Sequence, residues 1–181
     1  MAGGLSKAIG RFDARVDDQL DRLRGNRFWD RLFYGASFLG DHGLLWVIVA
    51  VIRYFTGVGG AEAAHFAGIR AVCAELGQSI LVNLGIKALF RRTRPVSQIP
   101  RPYRLRIPRT TSFPSGHSTA SFCAAVLLSD GTPWAPVLFV LAAVVSLSRA
   151  YVRIHHASDV VGGVIVGLAI GAAVVSLVPL P

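Results

Sequence analysis

Acidic residues are scarce in this chain, and they are missing where a metal would need them. Only ten of its 181 residues are Asp or Glu. None lies between Leu76 and Ser129, a stretch that carries many of the chain's arginines. Divalent cations in phosphate chemistry are held mainly by carboxylates, so no metal and no other cofactor is expected. Charge of either sign is also sparse, at 16% of residues against about 25% in soluble domains. Cysteine is rarer still. Cys73 and Cys123 sit inside apolar segments and form no CxxC pair, which argues against a disulfide framework or a zinc site. They read as free core thiols. The first residues are polar and charged, with no short apolar run before a cleavage site. A signal peptide is therefore not expected, and insertion would be directed by the first true span.

What the chain does have is long apolar blocks. It is 52% hydrophobic, with a mean hydropathy of +0.51. That pattern belongs to an integral membrane protein. The formal net charge is +9, but the cations flank apolar segments. An anionic membrane surface or an anionic substrate accounts for them better than nucleic acid.

The expected fold is all-α: one membrane-embedded domain over 1–181, with about five transmembrane helices and an N-terminal amphipathic helix. In residues 5–27, Ile9, Phe12, Val16, Leu20 and Leu23 recur every three or four positions. Such a helix either lies in the membrane interface or packs on the protein's own cytoplasmic face. Residues 28–40 are too short to span alone. Spans are expected at about 43–57, 63–90, 115–128, 134–154 and 157–178, with a tight turn at 129–133. The loop 91–109 holds seven arginines and no acid. The positive-inside rule places that loop in the cytoplasm.

Three motifs stand at the ends of these segments: Lys87-x6-Arg94-Pro95, Pro114-Ser115-Gly116-His117, and Ser148-Arg149-x5-His155-x3-Asp159. The first ends one span and the second opens the next. The third follows a crossing and a return. All three therefore reach one membrane face. Together they offer three cations, two histidines and a carboxylate. Asp159 is spaced to share a helix face with His155 and fix its tautomer, which leaves one ring nitrogen free to attack phosphorus. Pro114 and Ser115 suit a helix N-terminus, where backbone N–H groups attract phosphate oxygens, and Gly116 lets the backbone approach closely. His117 is then placed to protonate a leaving alkoxide. Lys87 and Arg94, about two helical turns apart, can point to one side and stabilise a phosphoryl transition state with Arg149. Arg91, Arg92, Arg101, Arg104, Arg106 and Arg109 read instead as interfacial cations near lipid headgroups.

Glu75, Ser79, Asn83 and Lys87 form a polar stripe at steps of four. Glu75 is open to a functional role or to pairing with Arg70 or Arg53, the structural role being favoured. His156 has no partner at a useful offset and stays outside the mechanism. His42 and His65 read as interfacial.

These motifs resemble those of the type 2 phosphatidic acid phosphatase superfamily, whose pattern is K-x6-RP, PSGH and SR-x5-H-x3-D. All the fixed positions are present. The resemblance implies a helical bundle, with His155 as nucleophile oriented by Asp159. It implies His117 as acid and then base. Lys87, Arg94, Arg149, Ser115 and Gly116 would bind the phosphate, without metal. Membrane relatives often have six spans, whereas five are counted here. The expected activity is hydrolysis of a lipid phosphate in the plasma membrane: a polyprenyl phosphate or diphosphate, a polyprenyl phosphosugar, phosphatidic acid or phosphatidylglycerol phosphate. Membrane lipids are the other expected partners. A lipid phosphotransferase would use the same residues. A catalytically silent binding protein fits less well, since both histidines are retained.

Overall fold

The structure is a computed structural model that describes residues 2–95 and 110–181, apart from the side chains of Ala2 and His42. Among the described residues there are helices and turns and no strand. Helix α1 (Ala2–Asp21) lies outside the bundle. Helix α2 (Arg27–Leu39) and helix α3 (Leu44–Thr56) meet at 71° across a short 3-10 turn at Asp41–Gly43. Helix α4 (Ala61–Ile80) runs through a π-helical stretch, Leu81–Ile86, into the last turn α5 (Lys87–Leu89). The bundle closes with α6 (Gly116–Ser129), α7 (Ala135–Tyr151) and α8 (Ala157–Leu177). Arg101, Arg104, Arg106 and Arg109 lie outside the described residues.

Helix α6 is the axis of the bundle. It packs on α8, α7 and α4. Its Cys123, Ala124, Ala125, Leu127 and Leu128 are fully buried. Its contact with α8 depends on small residues. A Cβ on Gly163 would stand 2.5 Å from the Ser115 carbonyl oxygen, and one on Gly167 only 2.4 Å from that of Thr119. A Cβ on Gly171 would stand 2.8 Å from the Cβ of Val126. Three glycines at steps of four let two backbones touch, as small residues do between membrane helices. Dispersion contacts and fixed register follow from that approach.

The far end of α6 is held by two buried arginines. Arg53 donates to the carbonyls of Leu127, Leu128 and Asp130 at 3.2, 2.9 and 2.6 Å. Arg70 donates to the Leu127 carbonyl and to the Asp130 carboxylate, the latter at 2.7 Å. Cations there satisfy the last carbonyls and complement the helix dipole. Neither arginine pairs with Glu75, as had been one expectation. Glu75 Oε2 accepts instead from Gln78 one turn on, at 3.1 Å. Both cysteines are free; Cys123 is buried in the core as expected, whereas Cys73 is exposed and not a core thiol.

Five helical segments stand close to where spans were expected, but they differ in reach. Among the described residues, two helices are long and apolar enough to cross a membrane, Ala61–Leu89 and Ala157–Leu177. A third crossing results if the bent α2–α3 pair counts as one broken span. Helix α6 has 14 residues and α7 has 17. At 1.5 Å per residue they reach about 21 and 26 Å, short of the roughly 30 Å hydrocarbon layer. Helix α6 is enclosed by its neighbours, so it needs less length of its own.

Helix α1 is shorter than the periodicity predicted, and it docks through acids. Asp13 is buried, and Asp17 pairs with Arg24 at 2.6 Å and Arg153 at 2.9 Å. These contacts dock the acidic side of α1 on the protein. Leu5, Ile9 and Phe12 of its apolar stripe stay exposed.

Replacing Gly167 by Leu should therefore destabilise the bundle by about 1–3 kcal/mol or more through overpacking. Gly77→Ala, where a Cβ meets nothing within 4 Å, should be neutral or slightly stabilising. Thermal unfolding midpoints in detergent compare the two.

Candidate active site

Local chain chemistry carries the motif residues to one end of the bundle. Helix α5 stops at Leu89, and Phe90 is extended at φ −122°, ψ 128°. A residue before proline is steered away from helical geometry, and Arg94 precedes Pro95. The expectation that Lys87 and Arg94 share a continuing helix is thus corrected. Arg94 reaches the site from non-helical chain. Its guanidinium donates to the carbonyls of Thr110, Thr111 and Ile154 at 3.2, 3.1 and 3.1 Å. Lys87 Nζ donates to Asn83 Oδ1 at 3.0 Å and to Thr110 Oγ1 at 3.3 Å. Asn83 in turn donates to the Ser79 carbonyl at 2.9 Å. The polar stripe below Lys87 is therefore a positioning chain for that amine.

Helix α6 begins as the sequence indicated. Ser115 is its N-cap and accepts from the Ser118 N–H at 3.3 Å and the Ser118 hydroxyl at 3.0 Å. The Ser115 hydroxyl thus braces the helix and has only its own hydrogen to offer an anion. The Ser115 N–H donates to the Asp159 carbonyl at 3.0 Å, which ties the second motif to the third. A Cβ on Gly116 would stand 3.7 Å from Lys87 Nζ. The glycine thus leaves room beside that amine.

His155 lies between α7 and α8, before the N-cap His156. It does not share a helix face with Asp159, contrary to the expectation. The two meet because Asp159 is the third residue of α8 and turns back to accept from the His156 N–H at 2.9 Å. That closes a capping box, a role for His156 that the sequence did not reveal. Nδ1 of His155 is 3.7 Å from Asp159 Oδ2, too long for a direct hydrogen bond. Ser112 stands between them. Its hydroxyl donates to Asp159 Oδ2 at 2.5 Å and lies 3.5 Å from Nδ1. Nε2 faces Arg94 Nη1 at 3.0 Å. A guanidinium only donates, so Nε2 presents its lone pair and Nδ1 carries the hydrogen. Burial, and then the charges of Arg94 and Arg149, hold His155 down to about 3. Its imidazole is neutral at physiological pH. Burial likewise lowers Arg94 to about 10, and it remains a cation.

His117 and Arg149 meet at the α2–α3 corner. His117 Nε2 is 2.8 Å from Asp41 Oδ1. Arg149 Nη1 is 3.8 Å from the same oxygen and donates to the Ser37 hydroxyl. The structure thus brings Lys87, Arg94, Ser115, Gly116, His117, Arg149, His155 and Asp159 to one end of the bundle.

Arg92 departs most from expectation. It had read as an interfacial cation. Instead Nη1 donates to Asp159 Oδ1 at 2.6 Å and Nη2 to Asp13 Oδ2 at 2.6 Å. Asp13 also accepts from the Ser158 N–H at 2.8 Å. One planar guanidinium bridges α1 to the carboxylate behind His155. Asp13, Asp41, Thr110 and Ser112 were likewise missed. Only Asp41 left a trace, as an acid flanked by Gly40 and Gly43 in a chain poor in acids.

Residues 68–180 match the PAP2 superfamily. The chain belongs to that superfamily. A Mycobacterium tuberculosis (strain ATCC 25618 / H37Rv) decaprenylphosphoryl-5-phosphoribose phosphatase is 32% identical over 143 residues, 79% of this chain and 77% of the relative. The protein of that name from Mycolicibacterium smegmatis is 34% identical over 127 residues, 70% of this chain and 67% of the relative. Among solved structures, a transmembrane PAP2 type phosphatidylglycerolphosphate phosphatase from Bacillus subtilis superposes with a TM-score of 0.71 at 23% identity. It covers 94% of this chain and 86% of that one. Aquifex aeolicus LpxE superposes at 0.68 and 21% identity over 92% of this chain and 93% of that one. The PAP2 fold is thus shared nearly end to end, and this chain is an integral membrane protein. The superfamily match begins inside α4. Asp13, Ser37 and Asp41 lie before it.

The Asp13–Arg92 bridge is testable without an activity assay. A double-mutant cycle of Asp13→Ala and Arg92→Ala should give a coupling of about 1–3 kcal/mol. Arg91→Ala, at an exposed position, should change stability by no more than about 0.5 kcal/mol.

Proposed function

We propose that this PAP2 protein is a lipid phosphate phosphatase of the plasma membrane, acting through a phosphohistidine. The observation that carries this is the His155 imidazole. Its Nε2 lone pair faces the Arg94 guanidinium at 3.0 Å, while Ser112 and Asp159 stand behind Nδ1. That is the arrangement of an oriented nucleophile aimed into a cationic cradle.

In the first step Nε2 forms a bond to phosphorus, and the bond from phosphorus to the lipid oxygen breaks. His117 gives its proton to the departing alkoxide. In the second step His117 takes a proton from water. The water oxygen bonds phosphorus, the P–N bond breaks, and inorganic phosphate leaves. Lys87, Arg94 and Arg149 hold the phosphoryl oxygens throughout, with the N-terminus of α6 and Gly116 beside them. These cations supply the charge stabilisation that a metal supplies elsewhere, so turnover is metal-independent.

For the substrate, a polyprenyl-linked phosphosugar is the reading the relatives favour. They are decaprenylphosphoryl-5-phosphoribose phosphatases matched over about three quarters of this chain. Apolar helices beside the site support entry of the lipid from the bilayer. The arginine-rich loop after α5 supports a cytoplasm-facing site by the positive-inside rule.

Purified protein should release phosphate from decaprenylphosphoryl-5-phosphoribose in detergent. His155→Ala and His117→Ala should each lose at least about a thousandfold in kcat, in the range seen when a catalytic group is removed. Orthovanadate, which adopts the pentavalent geometry of the transition state, should inhibit. EDTA should leave the rate unchanged. Full activity in His155→Ala would remove the nucleophile assignment. Transfer to an added alcohol without phosphate release would make the protein a transferase.

A further inference from the structure

Behind each histidine stands a carboxylate, but only one of them belongs to the PAP2 motifs. Asp41 Oδ1 lies 2.8 Å from His117 Nε2. A carboxylate only accepts, so at that distance Nε2 carries the hydrogen. The other ring nitrogen, Nδ1, is then the one left to exchange a proton with substrate. The same Asp41 oxygen is 3.8 Å from Arg149 Nη1.

The chain around Asp41 is built for this approach. A Cβ on Gly40 would stand 2.8 Å from Val145 Cγ1 and 3.1 Å from His117 Cδ2, so only a residue without one fits between α7 and the imidazole. Asp41 opens the 3-10 turn that breaks α2 from α3, and the two helices diverge there by 71°. Ser37, one turn earlier, is fully buried and accepts from Arg149. The bend therefore delivers a carboxylate and a hydroxyl to two site residues from a segment outside residues 68–180.

From this geometry we infer that Asp41 is a positioning residue for the general acid. It fixes the tautomer of His117 and stabilises its imidazolium, so that Nδ1–H is aimed at the departing lipid oxygen. This rests on the phosphohistidine reading above. It adds a second His–carboxylate pair whose task is leaving-group protonation. When the P–O bond breaks, the proton moves from Nδ1 of His117 to the alkoxide. Asp41 keeps its hold on Nε2–H and is not itself protonated.

Leaving-group chemistry tests this directly. An alkyl phosphate needs a proton as its oxygen departs, whereas p-nitrophenolate departs as a stable anion. First-turnover release should be measured for a short-chain polyprenyl phosphate and for p-nitrophenyl phosphate, with wild type and Asp41→Asn. The variant should slow alcohol release at least tenfold and alter p-nitrophenolate release less than threefold. Asp41→Glu should recover part of the alkyl rate.

Equal losses on both substrates would mean a structural role, and no loss on either would mean none; both overturn the inference. A faster variant that binds vanadate more tightly would show instead that Asp41 competes with the anion for the cradle, which also overturns it. Histidine 15N spectra give a second readout. The Nε2–H of His117, assigned with H117Q, should be the protonated nitrogen in wild type and should lose that preference in Asp41→Asn. Wild-type protein that releases neither leaving group would overturn the phosphatase reading, and this inference with it.

Discussion

Like charges gathered in a place of low dielectric repel one another, and this bundle is arranged around that constraint. Lys87, Arg94 and Arg149 are each less than a tenth exposed. Carbonyl and hydroxyl oxygens hold them: Thr110, Thr111 and Ile154 for Arg94, Ser37 for Arg149, Asn83 and Thr110 for Lys87. Dipoles orient a cation without cancelling its charge. The carboxylates nearby stand mainly behind the two imidazoles, with Asp41 also 3.8 Å from Arg149. The field of the cradle is thus preserved for an anion that arrives from outside, and such preorganised charge is the usual source of most catalytic stabilisation.

Helix α6 gives that field its frame. Its N-terminus opens beside Gly116 and its C-terminus is closed by Arg53 and Arg70. Both ends therefore complement the helix dipole in the same sense. The glycines of α8 bring a second backbone against α6, and the Ser115 N–H bonds the Asp159 carbonyl. Lys87 hangs from a π-helical stretch, a feature often found at functional sites. Side chains from five separate stretches of chain are in this way fixed to one rigid axis.

Much of this was legible in the sequence. Apolar periodicity placed the helical segments, and the turn at 129–133 brought the third motif back to the face of the first two. Ser115 could be read as a cap because cap chemistry is local. Spacing arguments fared worse wherever a helix ended. Lys87 with Arg94, and His155 with Asp159, were brought together by supposing continuous helix, and in both cases a helix ends or begins between the two. The carboxylate Asp13 was illegible and Asp41 nearly so, because little local marks either. Their partners lie 79 and 76 positions away. Arg92 was misread because one arginine in an arginine-rich loop resembles its neighbours until the fold gives it two acids. Span count was only partly legible, since burial by neighbours lets a central helix be short.

The bend between α2 and α3 has a consequence for how proteins of this kind are delimited. The superfamily model matches only from inside α4, yet three of the polar groups that hold the motif residues come from before it. A family model marks out where the motifs are, not where the working unit begins. Two homologues with identical signatures could therefore differ in rate or selectivity through a corner that no motif survey inspects. Trimming such a protein to its recognisable core would leave a signature intact and its scaffold incomplete.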